Sequence, residues 1–399
     1  EVKVSEDGIY RVTGYEMSSH GLSGTSWQPS KIGVWGLPAG LLPENNSVPR
    51  MEDLVPLQIH VGLAFDTVFD YLSSVYFYGQ KPQVTVYDSL KQDFVIKRHH
   101  YSDYQSYFIT TTEGGARISV VQDSSLSTDT ISRYRYIHRH EEDNVNLVGG
   151  GRQWFGEIFD FVLNRQIDLG LGALDGASKA AFTMRSVAHS TAGSTDMSLS
   201  TGMGPVGSVS MQQVSASSHA NYVDDARGDW TQAGNGLGVW GMAQVSYDRS
   251  NNPSARAWLD YIDVKADAPM NYAKFKGNYR WAPSTDSVKV FRLISTVGGG
   301  VDLYPVWDVT NPMRVRERKA NFALVNNTLQ LTWHMPLDSA RTISFLSNYT
   351  VSTPVFGNVV TAQNIHGWGQ TDYVIVSPAH LLSEAERLAQ FHRDRGLTV

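Results

Sequence analysis

The stretch Phe322-Ala323-Leu324-Val325-Asn326-Asn327-Thr328-Leu329-Gln330-Leu331-Thr332-Trp333 shows most clearly which secondary structure this chain adopts. Aliphatic, β-branched and aromatic residues, which favour strands, stand on both sides of two adjacent asparagines. Asparagine tolerates the positive φ that a tight turn requires. The stretch therefore predicts a hairpin of two antiparallel strands, residues 322–325 and 329–333, joined across Asn326-Asn327.

The same signature extends along most of the chain, where Gly, Ser, Thr and Tyr separate short alternating segments. Ser287-Val288-Lys289-Val290-Phe291-Arg292-Leu293 is one such strand. Segment 186–218 is rich in small and polar residues, so its composition alone would also suit a linker. Val206, Val209 and Met211 recur there near strand spacing, which favours strands with one solvated face. We predict a mainly β protein built of tandem antiparallel β-sandwich domains.

Length and composition restrict the class of protein further. The chain has 399 residues, 41% hydrophobic and 18% charged, enough to form two or three folded domains and to exclude a disordered tail or a coiled coil. A net charge of −6 makes nucleic acid an unfavourable partner, so we expect none. The sequence has no cysteine, which excludes disulfides and a cysteine nucleophile within these residues.

Membrane and export signals are absent from the sequence. No apolar run approaches the length of a membrane helix, and the chain opens with Glu1-Val2-Lys3-Val4 instead of an apolar signal core. For an exported protein we therefore expect the signal peptide to have been removed already.

The last thirty residues change from strand to helical spacing. Thr371-Asp372-Tyr373-Val374-Ile375-Val376 predicts a short buried strand, and the apolar residues from Leu381 to Phe391 fall at helical spacing. Ser383 and Glu386 fit a capping box at the start of this helix, and Gly396 fits its left-handed end. Leu397-Thr398-Val399 would begin a second strand. Because a parallel sheet cannot be stable with so short a second strand, we expect the protein to continue beyond Val399.

Several residues invite a catalytic or metal-binding interpretation. The turn Ser377-Pro378-Ala379-His380 lacks the glycines of a nucleotide-binding loop, and no nucleophile elbow of a serine hydrolase is present. His138 and His140 would share one face of a strand, as zinc ligands can, and His99-His100 form a second histidine pair. No third ligand is identifiable, and the arginines around them equally indicate a solvated polar strand. Two acidic residues, Glu157 and Asp160, are candidates for paired carboxylate chemistry.

Exposed tryptophans on sandwich faces can stack against sugars. Trp230, Trp240 and Trp258 would form such a platform, although packing in the core explains tryptophan equally well.

Motifs in a shared order along the chain resemble one family. They include Val4-Ser5-Glu6-Asp7-Gly8-Ile9-Tyr10, Leu42-Pro43-Glu44-Asn45-Asn46, Phe77-Tyr78-Gly79-Gln80, Gly151-Arg152-Gln153-Trp154-Phe155-Gly156-Glu157, Val306-Trp307-Asp308-Val309-Thr310-Asn311-Pro312 and Asp372-Tyr373-Val374-Ile375-Val376-Ser377-Pro378. They are similar to the PorU family, the gingipain-like cysteine peptidases that act as sortases of the type IX secretion system.

The resemblance implies β domains that precede a caspase-like α/β peptidase domain. The implied domains are an amino-terminal β domain at 1–150, a jelly-roll-like sandwich at 151–266, a third sandwich at 267–370 and the start of the peptidase domain at 371–399. The family's catalytic His and Cys map onto no residue here, so the resemblance implies a chain that is inactive by itself and has no catalytic residue.

By the same resemblance, the complete protein would be a cysteine endopeptidase and transpeptidase at the cell surface, associated with the outer membrane. It would remove the C-terminal signal domain of secreted cargo and attach the cargo to lipopolysaccharide, docked to the barrel PorV with PorQ and PorZ. The β-rich region would position the peptidase domain and dock these partners. The alternative is a non-enzymatic surface adhesin or carbohydrate-binding β-sandwich protein.

An acidic loop of the family suits calcium, and the corresponding segment here is Asp66-Thr67-Val68-Phe69-Asp70-Tyr71-Leu72-Ser73. It keeps two acids, Asp66 and Asp70, but loses a third acid and both glycines of the family pattern. These two residues are therefore either calcium ligands or caps of a turn, and no cofactor is required.

Overall fold

The structure of the chain is a computed structural model. It describes residues 1–22, 24–65, 67–123, 129–217, 221–234, 240–270, 277–284, 288–295, 305–326, 328–346, 350–361 and 365–399. The described residues form two units, Glu1–Gly357 and Asn358–Val399.

Strands dominate the first unit, as the sequence predicts. In chain order they are β1 (Val2–Val4), β2 (Gly8–Thr13), β3 (Ser26–Trp27), β4 (Gly33–Gly36), β5 (Val55–Pro56), β6 (Gln58–Gly62), β7 (Phe69–Asp70), β8 (Ser74–Gly79), β9 (Val84–Asp88), β10 (Asp93–Lys97), β11 (Gln105–Thr110), β12 (Ala116–Arg117), β13 (Ser119–Val121), β14 (Thr130–Ile131), β15 (Arg133–Glu141) and β16 (Ile158–Phe159). They continue with β17 (Asn164–Ile167), β18 (Lys179–His189), β19 (Thr195–Thr201), β20 (Gly204–Met211), β21 (Asp224–Ala233), β22 (Ala243–Asp248), β23 (Arg256–Pro269), β24 (Tyr279–Trp281), β25 (Val288–Ser295), β26 (Val306–Asp308), β27 (Arg316–Arg318), β28 (Ala320–Val325), β29 (Thr328–Pro336), β30 (Arg341–Phe345) and β31 (Val355–Phe356).

Helical structure is short. Helix α1 (Gly14–Ser19) has Thr13 as its N-cap, and Thr13 forms a capping box with Glu16. Helix α2 (Leu382–Arg393) is the longest helix among the described residues. Short 3₁₀ turns cover Pro29–Lys31, Leu171–Leu174, Ile365–Gly367 and Ala379–Leu381.

Two sheets enclose the first core. One has the order β31-β1-β11-β4-β5 and the other the order β12-β6-β8-β2. Val34 and Tyr107 of the first sheet and Val75 and Phe77 of the second belong to one cluster of buried side chains. Alternation along each strand sends these side chains to the same interior, which is the arrangement of a β-sandwich.

A second and a third sandwich share one continuous core. The second pairs the sheet β15-β23-β18-β21 with the sheet β17-β22-β19-β20. The third pairs β13-β27-β26-β30-β24 with β14-β25-β29-β28. A single cluster contains Phe182 and Val245 from the second sandwich and Phe291 and Trp333 from the third. The predicted mainly β class with tandem antiparallel sandwiches is confirmed.

Strand pairing crosses the limits expected for the domains. Strand β15, which precedes residue 150, pairs along its whole length with β23, and β14 pairs in parallel with β25. Strand β31 near the end of the unit pairs with β1 at its beginning. The limits of the sheets therefore do not coincide with the divisions expected at 150 and 266.

Two local predictions are confirmed. The hairpin of β28 and β29 turns at Asn326, whose φ is +48°. The small, polar segment after residue 186 contains the end of β18 and the strands β19 and β20. In β19 the side chains of Met197 and Leu199 are buried, whereas Asp196 is exposed, as expected for a strand with one solvated face.

In the second unit the predicted helix is present, but its flanks differ from the prediction. The prediction of a buried strand at 371–376 is wrong. These residues have no regular secondary structure, and Val374 and Val376 are 64% and 94% exposed. The backbone N–H groups of Asp372 and Tyr373 donate to the carbonyl of Thr398 over 2.9 and 3.1 Å. The two flanks of the helix thus lie side by side. No further strand among the described residues of this unit extends them into a sheet.

The start of α2 also differs. The predicted capping box of Ser383 and Glu386 is wrong, because Leu381 is the N-cap and no side-chain hydrogen bond caps the helix there. A 3₁₀ turn runs directly into the helix and places Ser383 inside the first turn. At the other end Gly396 has a φ of +84°, as predicted for the left-handed end of the helix.

Candidate functional site

Of the two predicted calcium ligands, only Asp70 lies among the described residues. Asp70 ends β7, and its Oδ1 accepts hydrogen bonds from the backbone N–H of Leu72 and from the N–H and hydroxyl of Ser73, at 3.1, 3.0 and 2.8 Å. Asp70 therefore caps the turn that leads into β8. Asp66 lies outside the described residues, so the calcium interpretation stays a prediction.

Strand β15 carries polar side chains on both faces. Its alternation puts Tyr134, Tyr136, His138 and His140 on one face, and the two tyrosines are buried in the core. On the opposite face Arg139 donates to both carboxylate oxygens of Asp263, directly across on β23, over 2.5 and 2.7 Å. The expected shared face of His138 and His140 is thus correct, and the arginines belong to the other face.

A loop after β15 brings the chain back to the end of the same strand. Val145 and Phe155 form an antiparallel bridge with N–H to carbonyl distances of 3.0 and 2.9 Å. Strand β16 then pairs with β23, which also pairs with β15. Because both segments lie along β23, Glu157 is placed next to the end of β15.

This return brings His140, Glu142 and Glu157 together, and we call these three residues the His140 cluster. One ligand atom from each lies within 4.8 Å of the others. The Nε2 of His140 is 2.7 Å from Oε1 of Glu157. Glu142 is exposed, whereas the side chains of His140 and Glu157 are only 18% and 14% exposed.

Electrostatics in the cluster follow from the close pair. Burial lowers the pKa of His140, but the hydrogen bond and negative charge of Glu157 outweigh burial and raise the pKa overall. Burial raises the pKa of Glu157, yet the hydrogen bond from His140 outweighs burial and lowers it overall. Burial, with Lys81 and His140 nearby, lowers the pKa of His138 to about 4, so His138 is neutral near pH 7.

The expected pairing of Glu157 with Asp160 is not formed. Glu157 bonds to His140, whereas Asp160 lies 3.3 Å from Arg249 and 3.8 Å from Arg256. Each carboxylate thus has its own cationic or imidazole partner. Glu142 and Glu157 were not predicted as neighbours of His140. Glu142 follows the last residue of β15 and continues its alternation, which would have indicated it. The position of Glu157 depends on the loop that returns to β23, which no local pattern indicates.

The prediction that three tryptophans form an exposed sugar-binding platform is wrong. Trp240 and Trp258 are 1% and 4% exposed and belong to the core. Trp230 is half-buried, and its indole covers the backbone at Gly207 and Gly228, where an added Cβ would lie about 2 Å from the ring. All three tryptophans therefore pack against the protein.

The second unit presents a different feature, a groove between helix α2 and the residues on both sides of it. It has a volume of about 380 Å³, and its lining includes Trp368, Tyr373, Val374, Leu382 and Ala389. Several of these side chains remain open to solvent, with Trp368 and Val374 each 64% exposed and Leu382 57% exposed. We call this surface the apolar groove of the second unit.

Comparison with solved structures shows that these sandwiches have a PorU-like fold. The crystal structure of dimeric latent PorU from Porphyromonas gingivalis superposes with a TM-score of 0.78 at 22% sequence identity. The match covers 100% of this chain and 36% of that one, so the present chain spans about a third of the length of that PorU chain. The resemblance to PorU predicted from the order of motifs is confirmed as a shared fold.

Other solved structures match with TM-scores too low to indicate a shared fold. An insecticidal delta-endotoxin from Bacillus thuringiensis matches at 12% identity over 60% of this chain and 42% of its own, with a TM-score of 0.20. A cycloisomaltooligosaccharide glucanotransferase from a Paenibacillus species matches at 7% identity over 58% of this chain and 48% of its own, with a TM-score of 0.17. No protein-family model and no curated protein matches the sequence.

One further observation concerns membranes. Among the described residues, no helix combines the length and the apolar composition needed to cross a bilayer.

Proposed function

We propose that this chain is the β-rich region of a PorU-like sortase of the type IX secretion system, which positions a cysteine peptidase domain and docks its partners. The observation that carries the proposal is the superposition on PorU over the whole chain with a TM-score of 0.78. The chain accounts for 36% of that PorU chain. In the proposal, the remaining part of a PorU-like protein contains the peptidase domain.

The apolar groove of the second unit supports this assignment. A unit of the size of Asn358–Val399 is too small to bury a core of its own, and large apolar surfaces usually mark an interface. Of the residues in α2, only Ala389 is buried. In the proposal, the strands of an α/β peptidase domain cover Val374 and Leu382, as crossover helices and strands do in a parallel sheet.

The chemistry would then depend on residues outside this region. The complete protein would form an acyl-enzyme thioester while it removes the C-terminal signal of cargo, and would transfer the cargo to lipopolysaccharide. Thioester formation needs a cysteine thiolate, and the 399 residues contain no cysteine. The region described here would work at the cell surface by holding the peptidase domain near PorV, PorQ and PorZ.

Docking is tested by measuring binding of this chain and of the longer gene product to PorV. We expect dissociation constants within about threefold of each other, because the proposal places the docking surface in the β-rich region. Absence of binding by this chain, under conditions in which the longer protein binds, would contradict the docking role. Peptide hydrolysis by this chain alone would contradict its assignment as a non-catalytic region.

Coverage of the apolar groove is tested with one substitution in both proteins. Leu382→Asp should leave the melting temperature of the present chain unchanged, because Leu382 is 57% exposed. In the longer protein it should lower the melting temperature by several degrees, because the peptidase domain would bury the charge. Leu324→Asp on β28, where Leu324 is 70% exposed, is the matched control. Equal effects of Leu382→Asp in both proteins would argue against coverage of the groove.

The alternative of a carbohydrate-binding adhesin is less favoured, because Trp240 and Trp258 are buried. Binding to a glycan array that is lost in Trp230→Ala would favour the adhesin.

A further inference from the structure

We infer that the His140 cluster is a binding site for a divalent transition metal, with Zn²⁺ as the best match, held by His140, Glu142 and Glu157. The inference is independent of the peptidase assignment, because all three residues lie in the second sandwich.

The donor set selects the class of ion. One imidazole nitrogen and two carboxylate oxygens form a mixed nitrogen and oxygen set, which suits zinc and its neighbours in the transition series. Calcium and magnesium prefer ligand sets made of oxygen alone. The donor atoms lie within 4.8 Å of one another, a spread that a central ion with bonds of about 2 Å can contact after small rotamer changes.

Backbone pairing holds the three ligands in place. His140 lies opposite Ile262 in the ladder between β15 and β23. The carbonyl of Glu157 accepts a hydrogen bond from the N–H of Leu259 on the same strand β23. At Gly156 an added Cβ would lie 3.0 Å from the carbonyl oxygen of Glu142, so the two ligand segments are packed closely. The ligands therefore need no rearrangement of the backbone to meet.

An unsatisfied oxygen provides a second observation that points to a ligand. Glu157 uses Oε1 for His140, but its Oε2 is buried and has no hydrogen-bond partner among the described residues. Buried carboxylate oxygens normally have a partner, since an uncompensated one is costly. A metal ion at the cluster would give this oxygen a partner.

The charges around the cluster also suit a cation. Glu142 and Glu157 carry two negative charges next to a single imidazole. Arg139 pairs with Asp263 on the other face of the sheet. The charge of Arg165 is close enough to lower the pKa of Glu157, but its guanidinium donates to the carbonyl of Ile158 over 3.1 and 2.9 Å and leaves the carboxylate oxygens of the cluster open to an ion. An ion of charge +2 would balance the two carboxylates.

Binding would replace the hydrogen bond between His140 and Glu157. The Nε2 of His140 and the Oε1 of Glu157 lie 2.7 Å apart and bond to each other in the free chain. The metal would take the lone pair of Nε2 and the carboxylate oxygen, and the hydrogen of this bond would move to Nδ1 of the imidazole or to solvent. With three protein ligands, water would fill the remaining position of a tetrahedral zinc site.

The test is isothermal titration calorimetry of the untagged, metal-free chain with ZnCl₂ and, separately, with CaCl₂. We expect one equivalent of Zn²⁺ to bind, and Ca²⁺ to bind at least tenfold more weakly. His140→Gln and Glu157→Gln should each weaken Zn²⁺ binding at least tenfold. Absence of Zn²⁺ binding by the native chain, or equal affinity for Ca²⁺, would overturn the inference.

Two further variants separate metal binding from folding. Glu142→Gln changes an exposed side chain, so the protein should keep its circular dichroism spectrum and still lose Zn²⁺ affinity at least tenfold. The double variant His60→Gln with Glu113→Gln alters the same residue types in the first sandwich and should bind Zn²⁺ as the native chain does. Unchanged Zn²⁺ affinity in folded Glu142→Gln, or equal loss in the control, would contradict the assigned ligands.

Discussion

Tyr134 of β15 and Tyr279 of β24 pack against each other with their ring centroids 4.5 Å apart. Tyr134 belongs to the second sandwich and Tyr279 to the third, and both side chains are almost fully buried. Their contact lies in the cluster that joins the cores of these two sandwiches. Because the shared core has no solvent layer at this point, we expect the second and third sandwiches to unfold in one transition.

Trp333 should be one of the residues on which this shared core depends most. Its ring is fully buried and stacks on Phe291 at 5.4 Å, with Phe345 at 5.5 Å. Trp333→Ala should lower the free energy of unfolding by about 3–5 kcal/mol through lost burial and the cavity left behind. Leu324→Ala, at a side chain 70% exposed, is the control and should change it by less than about 0.5 kcal/mol. Urea unfolding measures both, and similar values for the two variants would contradict the prediction.

The buried ion pair of Arg318 and Asp308 should show strong coupling. Nη2 and Nε of Arg318 lie 2.6 and 3.1 Å from Oδ2 of Asp308, and both side chains are 7% exposed. Arg318→Met should cost about 3–5 kcal/mol because it leaves a buried carboxylate without its partner. The double variant with Asp308→Leu should recover part of this loss. A double-mutant cycle measures the coupling, and additive effects would show that the pair does not act together.

Asn326 should determine the stability of the hairpin between β28 and β29. Its φ of +48° lies in the left-handed region, which β-branched residues avoid. Asn326→Val should lower the free energy of unfolding by about 1–2 kcal/mol. Asn326→Gly also removes the asparagine side chain, but glycine adopts a positive φ without strain. The free energy of unfolding of this variant should therefore stay within about 0.5 kcal/mol of that of the native chain. Thermal and urea unfolding of the two variants provide the comparison, and equal loss in both would contradict the role of φ.

Asp93 should make the stability of the chain depend on acid pH. Its carboxylate lies 2.9 Å from Nη2 of Arg135 and 3.0 Å from Nζ of Lys265, and joins the hairpin of β9 and β10 to the second sandwich. Burial raises the pKa of Asp93, but the hydrogen bonds from Arg135 and Lys265 outweigh burial and hold it below the ordinary value of 3.8.

A lowered pKa means that this stabilisation is present above pH 3.8 and is lost as the pH falls through the folded-state pKa. Asp93→Asn should therefore lower the free energy of unfolding by about 1–2 kcal/mol at pH 7 and by less near pH 2. Urea titrations at the two pH values test this, with Asp88→Asn on the same hairpin as control. A loss from Asp93→Asn that is constant with pH would contradict the assignment.

The local structure of this chain could be predicted because neighbouring residues control it. Alternating side chains indicate the strands β28 and β29, and the asparagines indicate the turn between them. The helical spacing of 381–391 and Gly396 predict α2 and its end. The cap of the helix could not be predicted, because a 3₁₀ turn runs directly into the helix and makes Leu381, instead of Ser383, the N-cap.

The mainly β class, the shared face of His138 and His140 on one strand, and the absence of a thiol follow from the amino-acid sequence alone. The contact between Glu157 and His140 and the burial of Trp240 and Trp258 are visible only in the folded chain. The physical reason is distance along the chain: alternation and turns depend on adjacent residues. Burial and the cluster depend instead on which distant segments pair with β23, and no local pattern records that choice.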